Sequence, residues 1–78
     1  MATKNNMSSY KVDANKLAKL RTDAFLTQRE VAEKSGITRE TLARMETLSD
    51  KYFGSNSVKS VAKVLNVNPN ELIKSEED

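Results

Sequence analysis

Between Thr27 and Glu46 two helix-start signals stand on either side of a single glycine. Thr27-Gln28-Arg29-Glu30 has the Thr-x-x-Glu form in which each end residue caps the other's backbone N–H. Gly36 follows where a left-handed residue would close that helix, and Thr38 is placed to cap the next one. Gln28, Val31, Ala32 and Ser35 form the inward face of the first segment; Thr41, Leu42 and Met45 form that of the second. Ile37 is an apolar residue in a turn too short to hide it. It is most simply a plug between two short helices that cross steeply. Few folds accommodate such a pair, and each needs further helices to cover it.

The rest of the chain supplies them. From Asp13, Leu17, Leu20 and Ala24 fall at helical spacing, with Arg21 on the same stripe. A guanidinium on that stripe requires a carboxylate partner from elsewhere, because an unpaired buried charge is very costly. Ser57 is expected to cap a fourth helix with Val58, Val61, Ala62 and Leu65 inward. Asn68-Pro69-Asn70-Glu71 is a dense start signal for a short fifth helix burying Leu72 and Ile73. Thr47 to Asn56 has no helical period and reads as a loop, in which Tyr52-Phe53 either folds back on the core or forms an exposed apolar patch. The expected organisation is an N-terminal arm over residues 1–11, a domain over 12–74 and an acidic tail over 75–78. The arm is either a simple mobile terminus or a basic arm acting through Lys4 and Lys11.

Composition narrows the chemistry. The chain has 78 residues, no Cys, no His, two Gly and one Pro. Disulfides, Cys or His metal sites, a His base and a Gly-rich phosphate loop are thereby excluded, and no cofactor is expected. No nucleophile–base pair can be assembled, and Ser and Thr residues have roles as caps, so an enzyme is not expected. No apolar run approaches a membrane span and no signal-peptide pattern is present, so the expected location is the cytoplasm. Thirteen Lys and Arg stand against eleven Asp and Glu; three of those acids close the chain at Glu76, Glu77 and Asp78, leaving +5 on residues 1–74. Such a body suits a polyanionic partner.

The outward side of the third helix carries Arg39, Glu40, Ala43 and Arg44 as one strip. Arg can bond guanine bidentately, Glu can accept from cytosine, and an Ala methyl can meet thymine, so the strip is competent to read bases. Arg and Glu on an outer helix face are equally at home simply solvated or paired with each other. Both readings stand on the strip alone.

Taken with its flanks, the pattern is more specific. Arg21, Leu26-Thr27-Gln28, Val31-Ala32, Gly36-Ile37-Thr38, Leu42 and Glu46, at these spacings, resemble the Cro/C1-type (XRE) helix-turn-helix family of phage and bacterial transcriptional regulators. Val61-Ala62, Leu65-Asn66-Val67 and Glu71-Leu72 resemble that family's closing helices, and the likeness runs over residues 13–73. It implies an all-α, five-helix, lambda-repressor-like DNA-binding domain whose helices 2 and 3 form the helix-turn-helix. It further implies that Arg21 pairs with Glu46 and that Thr27 and Gln28 meet DNA phosphates. Thr38, Arg39, Glu40, Ala43 and Arg44 would face bases or flanking phosphates. Residues 47–56 depart from the family pattern, and no role is transferred to Lys51, Tyr52 or Asn56.

Two functions follow. The first is a sequence-specific regulator, a repressor of phage, prophage or bacterial type, that binds double-stranded DNA and reads the major groove with helix 3. A weak homodimer, in some cases formed only on DNA, belongs to this reading. The alternative is a modulator or antirepressor that docks on another regulator protein through the same fold.

Overall fold

The computed structural model of the chain describes residues 9–74. The element order is β1 (Ser9–Lys11), α1 (Ala14–Asp23), α2 (Gln28–Ser35), α3 (Arg39–Met45), β2 (Tyr52–Gly54) and α4 (Ser55–Leu65), then a 3-10 turn over Pro69–Glu71. The expected acidic tail, Lys4 and the rest of the arm's first eight residues lie outside the described residues.

Side-chain oxygens start the first three helices. Asp13 accepts the Lys16 N–H at 3.2 Å, and Thr38 Oγ1 accepts the Thr41 N–H at 3.0 Å. At α2 the capping is reciprocal: Thr27 Oγ1 accepts the Glu30 N–H at 3.0 Å while Glu30 Oε1 accepts the Thr27 N–H at 2.8 Å. The Thr27 backbone N–H, and then the Thr27 side chain, hold the Glu30 carboxyl below its ordinary value. A depressed carboxyl stabilises the fold above its unfolded-state pKa, and that contribution fades as pH falls through the lower folded value. The parent should therefore exceed a Glu30→Gln variant in thermal stability at neutral pH, with the gap closing in acid. A gap that is constant from neutral to strongly acid pH would contradict this.

Three helix ends share one design. The N–H groups of Leu26, Ile37 and Val67 return to the carbonyls of Arg21, Ala32 and Ala62 at 3.2, 3.0 and 3.0 Å. The residue before each is left-handed: Phe25 at φ 60°, Gly36 at 75° and Asn66 at 60°. This is the Schellman closure, in which the apolar residue after the left-handed one packs back on the body. Leu26, Ile37 and Val67 do so, each partly buried against the core. The closure turns the chain sharply and converts each loop into a core contact. Ile37, expected as a plug between two helices, packs on the core from the turn between α2 and α3.

The core is one cluster: Val12, Leu17, Val31, Ala32, Leu42, Met45, Val58, Val61, Ala62, Leu65 and Leu72. α2 packs on both α3 and α4. Inward residues of the second, third and fourth helices fall as expected, with Gln28, Ser35 and Thr41 only half-buried.

Several expectations need correction. The described residues hold four α-helices and a two-stranded sheet, so the domain is neither five-helical nor purely α. Ser9–Lys11, expected within the arm, pairs antiparallel with Tyr52–Gly54, expected within the loop. This pairing brings the chain to Gly54 already positioned for α4. The helix accordingly starts at Ser55 with Gly54 as its N-cap, and Ser57 lies inside it. The fifth helix is a single 3-10 turn. Beyond it the chain must extend, because Ile73 bridges Val12 and the Lys74 N–H reaches the Lys11 carbonyl at 2.9 Å. α propagation through Ile73 would forfeit both contacts. Ala24 is exposed rather than on the buried stripe, since α1 ends at Asp23 and Ala24 is its C-cap.

Candidate nucleic-acid interface

The geometry of α2 and α3 rests on one carboxylate. Glu46 caps the C-terminal end of α3. Its Oε2 accepts from Arg21 Nε at 2.6 Å, and its Oε1 accepts from Arg21 Nη2 at 3.0 Å. Oε1 also accepts from Gln28 Nε2 at 3.0 Å. Arg21 Nη1 donates to the Leu26 carbonyl at 2.9 Å. The side chains of Arg21 and Glu46 are 15% and 5% exposed, so the pair is largely withdrawn from water. One fork-to-carboxylate bond with two additional partners thus ties the end of α1, the start of α2 and the end of α3 together. The Glu46 hydrogen bond is the chief reason the Arg21 pKa is raised, burial opposing it and the Glu46 charge adding to it. A raised base keeps its stabilising charge until pH climbs through the folded value, so Arg21 stays cationic at every working pH.

Thr27 is exposed at the mouth of α2 and Gln28 lies beside it, half-buried. The residues alone place Gln28 on the inward face without a partner inside the protein, and that partner is Glu46. A half-buried amide at that position needs an acceptor, and the carboxylate already required by Arg21 was the available one.

Along α3, Thr38, Arg39, Glu40 and Arg44 are exposed and Ala43 is half-buried. The strip therefore exists as a continuous surface, but its members are unequal. Arg44 Nη2 is bonded to Glu40 Oε2 at 3.0 Å, one helical turn away. Arg39 has no side-chain hydrogen bond or ion pair among the described residues. Its guanidinium is a fork of donors with nothing to bond among the described residues. Thr38, by contrast, has its hydroxyl engaged with the Thr41 N–H and hydroxyl.

Among the described residues, open grooves lie on either side of α3. The first, of about 680 Å³, lies between the turn after α1 and the starts of α2 and α3, and Arg39 is on its wall. The second, of about 530 Å³, has Thr41 and Arg44 on one side and Leu48, Lys51, Tyr52 and Phe53 on the other. Tyr52 and Phe53 divide the two readings between them: Phe53 packs on the core, while Tyr52 is 52% exposed. The Lys11 ammonium stands 5.4 Å from the centre of the Tyr52 ring, a cation–π contact across the small sheet. Nothing in the sequence points to that pairing, because the partners are far apart in the chain.

Among the described residues no group of His, Cys, Asp or Glu side chains could hold a metal ion, and no helix is long and apolar enough to cross a membrane.

Solved structures of other proteins share this fold. A hydroxyethylphosphonate dioxygenase is similar over 87% of this chain at 22% identity and a TM-score of 0.72, yet this chain spans only 14% of it. The restriction-modification controller protein C.AhdI from Aeromonas hydrophila is similar over 74% of this chain and 86% of its own, at 26% identity and a TM-score of 0.68. The N-terminal DNA-binding domain of the biofilm regulator SinR from Bacillus subtilis is similar over 83% of this chain and 94% of its own, at 21% identity and a TM-score of 0.68. Among curated proteins none matches the chain by sequence. The helix-turn-helix family model matches residues 17–72, from the buried Leu17 of α1 to Leu72 beyond the 3-10 turn. The chain belongs to the XRE-type helix-turn-helix family of DNA-binding transcription regulators.

Proposed function

We propose that the chain is a sequence-specific regulator of repressor type that reads the major groove of double-stranded DNA with α3. The observation that carries this reading is the unpartnered Arg39 fork at the start of an exposed helix whose pose is held by Glu46. A bidentate donor of that kind matches guanine O6 and N7. Glu40, Ala43 and Arg44 extend the reading surface. Arg44 must first leave Glu40 or reach a phosphate beside it. Such a domain acts by occupying its site, with no chemistry of its own. Selection of bound sites from random duplexes, at two salt concentrations, tests the proposal. A shared short motif is expected, with affinity falling steeply as salt rises. Recovery of no motif would sink it.

Phosphate contacts fall to Thr27 and Gln28 at the open end of α2, where the positive end of the helix dipole favours an anion. Gln28 would act there while its amide is steadied by Glu46. A Gln28→Ala variant is expected to bind specific and random duplexes more weakly by a similar factor, since phosphates carry no sequence information. It should also lose about 1.5 kcal/mol of stability with the hydrogen bond to a charged acceptor. A loss confined to the specific duplex would reassign Gln28 to the recognition surface.

On DNA two copies would bind half-sites one helical turn apart, about 34 Å between centres. The second reading, a modulator that docks on another regulator, draws support from the Glu40–Arg44 bond, which leaves half of the strip neutral. SinR itself forms a complex with the SinI protein. Binding to a partner repressor with no affinity for any duplex would favour that reading.

A further inference from the structure

Two of the three left-handed helix closures use the residues suited to them, Gly36 and Asn66; the third uses Phe25. A bulky aromatic is disfavoured at positive φ, where its Cβ crowds the backbone. Burial does not offset that cost, because Phe25 is 92% exposed. The turn itself does not require the ring: the closure is made by backbone bonds from Phe25 to Thr22 and from Leu26 to Arg21, and the core contact is made by Leu26. The residue is thus unfavourable for the fold both in backbone and in solvation. Strain of this kind persists where the side chain serves another purpose.

The ring borders the groove beside the start of α3. Among the described residues the charged ones on that groove's wall are Arg21, Arg29 and Arg39, and no carboxylate lines it. Arg21 is neutralised by Glu46, and Arg29 among the described residues has only an exposed bond of 3.3 Å to Glu33. Arg39 is free among the described residues. One exposed apolar face beside the accessible Arg29 guanidinium, with the base-reading Arg39 on the same wall, fits an occupant that alternates apolar and anionic units along its length. A nucleic-acid strand, with its sugar faces between phosphates, is such an occupant.

We infer that Phe25 packs against a deoxyribose of the DNA backbone and so seats one strand in this groove between Arg29 and Arg39. The inference rests on the DNA-binding reading proposed above. It gives Phe25 an affinity role without sequence preference, and it makes this turn a second anchor beside the recognition helix.

The test uses the whole chain with Phe25→Asn, Phe25→Gly and Phe25→Tyr, measured for melting and for binding to a selected and a random duplex over a salt series. Phe25→Asn should melt a few degrees above the parent, since Asn accepts the left-handed conformation. Its affinity should fall about fivefold on both duplexes, the effect of uncovering part of one aromatic side chain. The salt slope should stay at the parent value, because no charge is removed. Phe25→Gly should lose affinity likewise and Phe25→Tyr should retain it. Intermolecular NOEs should link the Phe25 ring protons to deoxyribose protons. A Phe25→Asn protein that binds as well as a DNA-binding parent overturns this inference alone, as do ring NOEs only to a second protein copy. A parent that binds no duplex even at low salt overturns the DNA reading and this inference with it.

Discussion

A Glu46→Ala variant is expected to lose about 3–5 kcal/mol of folding stability, a large part of the ~5–15 kcal/mol typical of a domain. In a chain of this size that corresponds to a fall in Tm of roughly 15–30 °C. The cause is the stranding of donors. Arg21 would keep its charge, 15% exposed, with only the Leu26 carbonyl to satisfy it, and Gln28 would lose its acceptor. Arg21→Met should cost a similar amount, since a carboxylate that is 5% exposed would be left with Gln28 as its donor. An Arg21→Met/Glu46→Leu double variant should recover much of the loss, because removing both charges also removes their desolvation. Thermal and urea melts of the four proteins measure the losses and the recovery. If Glu46→Ala melts like the parent, the pair does not hold α1, α2 and α3 together. The double variant carries a further expectation. Stability should return without full DNA affinity, because apolar contacts do not fix the pose of α3 as a two-pronged ion pair does.

Arg39→Ala is expected to weaken binding to a selected site by about 1–3 kcal/mol, roughly five- to 150-fold, and to relax preference at one position of each half-site. Melting should be unaffected, since Arg39 bonds nothing within the described domain. Arg39→Lys should restore the charge and the salt slope but only part of the discrimination, because a point charge cannot replace the planar fork. Arg44→Ala is expected to do less harm. Arg44 is already committed to Glu40, so its transfer to DNA carries the cost of breaking that bond, small though exposed pairs are. Site selection repeated with each variant checks the order. An Arg39→Ala/Arg44→Ala protein that keeps the parent's ratio of specific to random affinity would remove α3 from the major groove.

Local signals were legible where one or two residues decide the outcome. Thr27 and Glu30, Thr38, Gly36 and Asn68 each act on backbone groups within a few positions, so their residue types announce the helix ends. The need of Arg21 for a carboxylate was equally plain, since burial of a guanidinium has few solutions. The sheet was not legible. Three-residue strands are too short to display an alternating pattern, and the partners Ser9–Lys11 and Tyr52–Gly54 are joined only by tertiary packing. The 3-10 turn at Pro69 was hidden for the same reason: its start signal is that of any helix, and what stops it is Val12. Phe25 was invisible in a different way. Its residue type argues against the conformation it adopts, and only its place before Leu26, matching Gly36-Ile37 and Asn66-Val67, hinted at the shared closure.

The strap that joins Lys11–Asp13 to Leu72–Lys74 bears on folding kinetics. The Asp13 N–H bonds the Leu72 carbonyl at 2.8 Å, and Val12 bridges Ile73. These contacts close a loop that spans nearly the whole described chain, whereas α2, the Gly36 turn and α3 are local. Loop closure must be met before such distant contacts stabilise anything, so local helices lead and the strap comes late. Substitutions at Val12 or Leu72 should then accelerate unfolding and leave the refolding rate almost unchanged, while Val31 and Leu42 substitutions slow refolding. The strap is in that case a latch on lifetime: it sets how long a folded molecule persists, and the α2–α3 pair sets how quickly one forms.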